Sequence, residues 1–345
     1  MSKFKVVKLS INLLLVAITI LVLALVINAE DTENWTMKLG SKEIPGAHTY
    51  DTVEKFIELV EKKSDGKIKI EHFPNEILGP TRVQLENLST GVIEFYAGGS
   101  YTHYAHLVPE FRVHSLSFLF TDYDHYRKFL LSPIQKEMEE KLINQANIRI
   151  LNESKNWQRD AHRVLVTRYP VQTLEDIKGL KLRLSDAPAT IKVWEQLGAS
   201  IVIIPFSEVY LGLQQGMVDA LTTGLSQFNE RKFYEVVKEV TLSHELEQQF
   251  AIAMNEDTFQ SLPKELQNAL IEAAKEAGDL ATEVVVEIGE ELMEKGKTEY
   301  GVNFKEWTDI DSVLEKAKEA HIALEESGFI PKGLLQRIND YMGGE

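Results

Sequence analysis

Residues 173–219 contain two successive strand–helix units, and no other stretch constrains the fold of this chain as strongly. The first unit has a short strand, Lys181–Ser185, and a helix that ends at Gly198. The second unit has an apolar strand, Ala199–Ile204, and a helix that ends at Gly216. Glycine readily adopts the left-handed backbone conformation that commonly ends a helix. This order of elements predicts an α/β fold.

Arg183 lies in the middle of the first of these strands, where its neighbours are apolar. Arginine is almost never fully buried without a partner. Its guanidinium presents a rigid fork of N–H donors that matches a carboxylate bidentately. Residue chemistry alone leaves two interpretations open, namely an ion pair with a carboxylate of this chain and an anchor for a bound anion.

The N-terminal half of the chain independently predicts an α/β fold. Its pattern of apolar residues predicts, in chain order, a strand at Trp35–Gly40, a helix at Tyr50–Lys63, a strand at Lys67–His72, a helix at Arg82–Leu88 and a strand at Val92–Ala97. This alternation favours a parallel sheet with helices on both faces. Open α/β sheets bind ligands at the carboxyl ends of their strands. The loop that begins at Gly98 lies at such an end.

The order and spacing of three motifs resemble the substrate-binding proteins of tripartite ATP-independent periplasmic (TRAP) transporters. The motifs are DIKGLKLR at 176–183, LGA at 197–199 and LQQGMVD at 213–219. The resemblance continues through GKI at 66–68 and MN at 254–255, so it covers nearly all of the mature chain.

This resemblance implies an α/β, two-domain periplasmic-binding-protein fold with a ligand cleft between the lobes and a long helix that spans both domains. The domains that we predict are residues 34–160 plus 249–288 and residues 161–248 plus 289–345. A helical pattern runs from Pro263 to about Thr298 without an internal proline, which fits one domain-spanning helix. Two helices broken at Gly278 are the alternative.

The resemblance also implies roles for several residues of the ligand site. Arg183 is then the anchor for the ligand's carboxylate, and Arg163 is a second ligand contact, where the alternative is a surface arginine at a strand start. Phe206 occupies a position at which relatives often hold an aromatic ring against the substrate, and the alternative is a core or hinge aromatic. An ungapped alignment from Arg183 puts Thr223 where many relatives have a ligand-binding asparagine.

Two departures from the family pattern bear on the ligand. Thr223 offers a hydroxyl in place of an amide, and the loop at Gly98 lacks an acidic contact that some relatives carry. Less polar anchoring suggests a smaller or more apolar acid. Trp157 and Tyr101 are candidate pocket walls, because ligand sites are mostly apolar, although a single aromatic residue is more often part of a core.

The sequence lacks the usual catalytic and cofactor motifs. It has no GxSxG nucleophile elbow, P-loop or GxGxxG motif, and it has no cysteine for a nucleophile, a disulfide or a metal site. His103 and His106 form an HxxH pair without the glutamate of a metalloprotease, so we interpret them as ordinary loop histidines. We therefore expect no cofactor, no metal and no enzymatic activity.

The N-terminus has the features of an export signal, residues 1–29, with basic residues followed by the apolar run Ile11–Ile27 and a cleavage site at Ala29. An uncleaved membrane anchor is the alternative, although the run is shorter than the ~20 residues that usually span a bilayer. The formal net charge of −16 makes the chain a poor candidate for binding nucleic acid or anionic membrane surfaces. An anion site must then be built from local donors.

These observations predict a monomeric, periplasmic solute-binding protein. We expect it to capture a small carboxylate by hinge closure and to deliver it to the membrane subunits of a TRAP transporter. One alternative is an extracytoplasmic sensor subunit that passes a ligand signal to a membrane receptor. The other alternative, an enzyme acting on a carboxylic acid, is disfavoured by the missing motifs.

Overall fold

The structure of the protein is a computed structural model that describes residues 34–98 and 100–343. The predicted signal segment, residues 1–29, lies outside the described residues. Within the described ranges, no helix combines the length and the apolar character that crossing a membrane requires.

In the part of the chain that the structure describes, the strands form a five-stranded and a six-stranded sheet. The strands are β1 (Trp35–Ser41), β2 (Ile68–Phe73), β3 (Phe95–Ala97), β4 (Ile148–Ile150), β5 (Arg163–Thr167), β6 (Lys181–Leu184), β7 (Ser200–Ile203), β8 (Ala220–Gly224), β9 (Glu239–Leu242), β10 (Ile252–Asn255) and β11 (Asn303–Lys305). The helices are α1 (His48–Lys63), α2 (Thr81–Ser89), α3 (Tyr123–Leu130), α4 (Pro133–Ala146), α5 (Leu174–Ile177), α6 (Pro188–Leu197), α7 (Val209–Gln215), α8 (Leu225–Glu230), α9 (Glu256–Ser261), α10 (Lys264–Thr298), α11 (Ile310–Glu326) and α12 (Leu334–Met342).

The first sheet has the strand order β2-β1-β3-β10-β4. Strands β2 and β3 both pair with β1 in parallel, as the N-terminal pattern predicts, and β10 is antiparallel to its two neighbours. The predicted third strand is shorter than expected and begins at Phe95 instead of Val92. Val92 still belongs to the turn after α2, since its N–H bonds back to the carbonyl of Asn87 at 2.9 Å.

The second sheet has the strand order β11-β9-β5-β8-β6-β7. Strand β6 is parallel to β7 and β8, whereas β5 is antiparallel to β8 and β9. Gly198 ends α6 with a φ of 103°, as the sequence predicts. The Thr173 and Asp176 side chains form a reciprocal capping box at the start of α5, which satisfies N–H groups that the first helical turn leaves open.

Two extended segments connect the sheets and run side by side. They meet at a bridge between Gln158 and Gln249, and the N–H of Arg159 donates to the carbonyl of Gln248 at 3.1 Å. Backbone hydrogen bonds therefore hold the two crossings together between the lobes.

The long helix α10 is a third connection, and its 35 residues form one helix without a break at Gly278. Such a helix is about 52 Å long. It packs against α1 beside the first sheet and contacts α8 and β11 beside the second. A Cβ atom on Gly278 would lie 2.7 Å from Asn156 Oδ1, so this glycine lets a crossing segment lie directly on the helix.

The C-terminal helices contact both halves of the molecule. Helix α11 packs on α6 of the second sheet, whereas α12 contacts α3 beside the first. The Lys128 ammonium donates to the carbonyl of Met342 at 3.0 Å, and Arg337 pairs with Glu137 at 2.6 Å. The last helix, α12, thus packs beside the first sheet, although the domain boundaries predicted from the sequence assign it to the second domain. Those boundaries stay a prediction.

Candidate functional site

A cavity of about 340 Å³ lies between the two sheets, where carboxyl ends of strands from both sheets converge. Lys42 follows β1 and Ser100 follows β3, and these two strands are parallel. Arg183 lies near the carboxyl end of β6, and Thr223 lies near that of the parallel strand β8. The residues that line the cavity are Lys42, Ser100, Thr102, His103, Ser115, Arg159, Arg163, Arg183, Leu184, Ser185, Ala187, Thr190, Phe206, Thr222, Thr223, Gln227, Leu246 and Gln248.

Arg183 is buried, with 8% of its surface exposed. Its Nε and Nη2 groups both donate to the carbonyl oxygen of Ile204, at 3.0 and 2.9 Å. No carboxylate lies within 4 Å of its guanidinium among the described residues. Burial lowers the pKa of Arg183, with no opposing carboxylate. An ion pair with this chain, one of the two interpretations open from the sequence, is therefore absent from the described structure.

Phe206 lies beside this arginine. The Arg183 guanidinium carbon is 5.3 Å from the centre of the Phe206 ring, and that of Arg231 is 5.5 Å away. The ring also meets Phe233 edge-on at 5.8 Å. Phe206 therefore lines the cavity and also packs on the core of the second lobe, and its contact with a ligand stays a prediction.

Arg163 also lines the cavity, but its charge has a partner. Its Nε and Nη2 groups lie 3.2 and 3.1 Å from Glu245 Oε1, and Nη2 donates to Thr222 Oγ1 at 3.3 Å. Glu245 is 1% exposed and also accepts from Ser243 Oγ. Arg163 is thus not a surface residue, and its guanidinium neutralises a buried carboxylate behind the cavity wall.

Thr223 is buried in the wall formed by β8, with 1% of its surface exposed. Its hydroxyl donates to Gln227 Oε1 at 3.1 Å, and both side chains line the cavity. The donor of Thr223 is already engaged in this structure. Its lone pairs and the Gln227 amide N–H groups are the groups that a ligand could use.

The structure does not bring Trp157 and Tyr101 to the cavity. The Trp157 ring stacks on Phe250 at 5.1 Å within the core of the first lobe. The Tyr101 ring stacks on His114 at 5.0 Å and belongs to the large core cluster. The residues next to Tyr101, Ser100 and Thr102, line the cavity instead, because Tyr101 begins a 3-10 helix, Tyr101–His106, whose successive side chains point in different directions.

The cavity lining includes two cations that our sequence analysis missed, Lys42 just after β1 and Arg159 on one of the two crossing segments. Burial, followed by repulsion from Arg159, lowers the pKa of Lys42 to about 8. Arg159 Nη2 is 3.8 Å from Glu43 Oε1. Burial opposes ionisation of Glu43, yet Arg159 and then Lys42 give its pKa a net decrease. In the sequence, the one indication that Lys42 belongs to the ligand site was its position just after a strand.

His103 lies near these cations, and its pKa is held well below the ordinary value by burial first and then by Lys42 and Arg159. It is therefore a neutral imidazole. Many of the lining side chains are hydroxyls or amides, including Ser100, Thr190 and Gln248. The cavity is more polar than the expected site for a small apolar acid, because the polar groups come from segments outside the motifs.

Comparison with known proteins agrees with this arrangement. The family model DctP, bacterial extracellular solute-binding protein, family 7, matches residues 40–326. The chain is 31% identical over 258 residues to the 2,3-diketo-L-gulonate-binding periplasmic protein YiaO of Escherichia coli K12, covering 75% of this chain and 76% of that protein. It is 28% identical over 289 residues to the sialic acid-binding periplasmic protein SiaP of Vibrio cholerae, covering 83% and 87%.

Solved structures lead to the same family. A TRAP periplasmic solute-binding protein from Ochrobactrum anthropi, with its C-terminus bound in the ligand-binding pocket, matches with a TM-score of 0.82 at 26% identity. The match covers 91% of this chain and 96% of that chain. The resemblance noted in the sequence and the predicted fold class, including the long helix, are confirmed. The chain belongs to family 7 of the bacterial extracellular solute-binding proteins, the solute-binding proteins of TRAP transporters.

Proposed function

We propose that this protein binds a small organic acid of the sugar-acid type outside the cytoplasmic membrane and passes it to the membrane subunits of a TRAP transporter. The observation that carries this proposal is Arg183, a buried guanidinium beside the interlobe cavity without a carboxylate partner in the described chain. A buried cation is costly unless it is paired. A ligand carboxylate supplies the missing charge.

The geometry of Arg183 supports bidentate binding. Ile204 accepts from Nε and from one N–H of Nη2. A guanidinium has five N–H groups, so the edge formed by Nη1 and Nη2 keeps one parallel pair for a carboxylate. Such paired, charge-assisted bonds are among the stronger hydrogen bonds in proteins. Phe206 packs near the same guanidinium and restricts its movement.

The rest of the lining supports a hydroxylated acid. Hydroxyls and amides surround the cavity, and a sugar acid presents several hydroxyls that pair with such groups. Two relatives are named for acids of this type, 2,3-diketo-L-gulonate and sialic acid. The combination of one carboxylate anchor and many neutral polar groups fits that chemistry.

Lobe closure is the mechanism that we infer for capture. The two walls belong to different sheets, and the two extended crossing segments and α10 connect them. A ligand that contacts both walls favours the closed form by its differential affinity for that form. The acid needs no chemical change. We also propose that residues 1–29 direct export of the protein and that the mature protein is a monomer.

A thermal-shift screen of the mature protein tests the function. The panel contains aldonates, uronates and short dicarboxylates, and each acid has a neutral counterpart such as galactitol for galactonate. A ligand at ~100-fold excess over its dissociation constant stabilises the native state by ~2.7 kcal/mol. We expect a shift with at least one acid and none with the neutral counterparts. A shift with a neutral sugar and with no acid would overturn the proposal.

A further inference from the structure

A second cavity of about 160 Å³ adjoins the ligand cavity between the two lobes. At ~30 Å³ per water this space corresponds to about five water molecules, so it also holds a short hydroxylated chain. Resting on the proposed function, we infer that Gln227 sets the length of the acid that the protein accepts. The adjoining cavity is then a subsite for the hydroxylated tail of a longer acid, and the Gln227 side chain closes it off.

The two cavities share part of their lining. Lys42, Arg159 and Gln227 face both of them. Among the described lining residues, Arg183 belongs to the ligand cavity alone. An acid whose carboxylate binds Arg183 therefore reaches the adjoining cavity only by passing the shared side chains. These side chains limit how far the tail of the acid extends.

Gln227 differs from the other two shared side chains because it carries no charge. Lys42 and Arg159 both interact with the buried carboxylate of Glu43. Gln227 instead accepts a hydrogen bond at its Oε1 from Thr223 Oγ1 at 3.1 Å. This bond from β8 fixes the amide at the boundary between the two cavities. Gln227 is thus the part of the boundary that a substitution can shorten without removing a charge.

The adjoining cavity suits neutral polar groups. Its described lining holds three acidic and three basic side chains, with His48 as a further titratable group. The acidic and basic side chains are Glu43, Asp160 and Glu230, and Lys42, Arg159 and Arg231. The two signs balance, so this lining does not call for a second charged group on the ligand. A tail of hydroxyl groups pairs with donors and acceptors of both kinds.

Glu43 gives the adjoining cavity an open hydrogen-bond acceptor. The residue is 6% exposed, and its Oε1 has no hydrogen-bond partner among the described residues. Arg159 Nη2 lies 3.8 Å from that oxygen, which is too long for a hydrogen bond. Thr49 Oγ1 donates to the other oxygen, Oε2. A buried acceptor without a donor is costly, and a hydroxyl of the ligand tail supplies that donor.

Calorimetric titration with a series of aldonates tests this inference. The series is ribonate, gluconate, glucoheptonate and glucooctonate, in which each acid is one hydroxymethylene group longer than the one before. We expect the wild-type affinity to fall about tenfold or more at the first acid that is too long for the ligand cavity. Gln227→Ala removes the amide, so the longer acids should bind it about tenfold more tightly than they bind the wild type. Each acid is compared with itself between variants, so differences in stereochemistry cancel.

Three further variants locate the effect. Gln248 lines the ligand cavity and is absent from the described lining of the adjoining one, so Gln248→Ala should not favour the longer acids. Gln260→Ala changes an exposed glutamine of α9 and should leave every affinity as in the wild type. Ala47 lines the adjoining cavity. Gln227→Ala/Ala47→Leu should restore the wild-type length limit, because leucine fills the space that the tail would occupy. Circular dichroism checks that each variant is folded.

The outcomes separate this inference from the proposed function. The same length dependence in wild type and Gln227→Ala, or an equal gain for longer acids in Gln248→Ala, overturns the role of Gln227 while an acid ligand stands. A gain that persists in Gln227→Ala/Ala47→Leu overturns the adjoining subsite. Binding of the corresponding neutral alditols with no acid overturns the proposed function as well. A gain that is confined to the longer acids and reversed by Ala47→Leu supports the inference.

Discussion

Arg183 Nε and Nη2 both donate to the carbonyl oxygen of Ile204, at 3.0 and 2.9 Å. Ile204 immediately follows β7, the strand parallel to β6, in which Arg183 lies. The end of one strand thus orients the charged side chain of its neighbour. The guanidinium is held at the cavity before any ligand arrives, which reduces the ordering cost of binding.

We expect Arg183→Lys to weaken acid binding by about 2–5 kcal/mol, because lysine keeps the charge but loses both the bond pair to Ile204 and the bidentate fork. Titration calorimetry measures the affinity, and urea unfolding measures the stability. Arg82→Lys on α2 is a surface control, because the Arg82 side chain is 75% exposed. Wild-type affinity in Arg183→Lys would contradict the carboxylate role of Arg183.

Arg163 should behave differently, because its guanidinium neutralises Glu245. We expect Arg163→Met to lower the free energy of unfolding by about 3–5 kcal/mol, since it leaves a buried carboxylate without its partner. The double variant Arg163→Met/Glu245→Met should recover most of that loss. Urea unfolding of both variants decides the point. Equal stability of wild type and Arg163→Met would show that the ion pair contributes little.

Thr223 should influence selectivity more than overall affinity. Its hydroxyl donates to Gln227 Oε1 at 3.1 Å, so its replacement changes how the glutamine amide presents its groups to the ligand. We expect Thr223→Val and Thr223→Asn to change the rank order of acids. Affinities across acids of different size and hydroxyl number provide the measurement. Uniform scaling of every affinity would argue that Thr223 does not contact the ligand.

Lys42 should make the stability of the ligand-free protein depend on pH in the alkaline range. Burial and Arg159 lower its pKa from the ordinary 10.5 to about 8. Between these values the unfolded chain holds more protons than the native state, so stability rises with pH. Below pH 8 the native protein carries the cost of this partly buried charge, which Glu43 and Glu76 offset in part.

We therefore expect ligand-free Lys42→Met to be more stable than wild type near pH 7, with a difference that shrinks as the pH rises from about 8 to 10. Urea unfolding at several pH values measures this. The control Lys69→Met, which removes an exposed lysine of β2, should show no such trend. A wild-type protein that loses stability relative to Lys42→Met over this range would contradict the depressed pKa.

Local sequence patterns determined the elements of this protein and their order. The spacing of apolar residues predicted β1 and α1, and Gly198 predicted the end of α6. Both the period of the apolar residues and the conformation of a glycine are local properties of the chain. The same patterns identified Arg183 as an unusual cation in an apolar strand. The motifs around it led to the correct family and fold class.

Only the tertiary structure decided which side chains share the cavity. Lys42 and Arg183 are far apart in the chain, and nothing local relates them until two sheets bring their strand ends together. Trp157 and Tyr101 carry the same apolar signal whether they line a pocket or fill a core. The need for a glycine at position 278 of α10 likewise arises from Asn156, which packs where a side chain at Gly278 would stand. Contacts between distant residues govern all of these features, and a pattern of neighbours does not contain them.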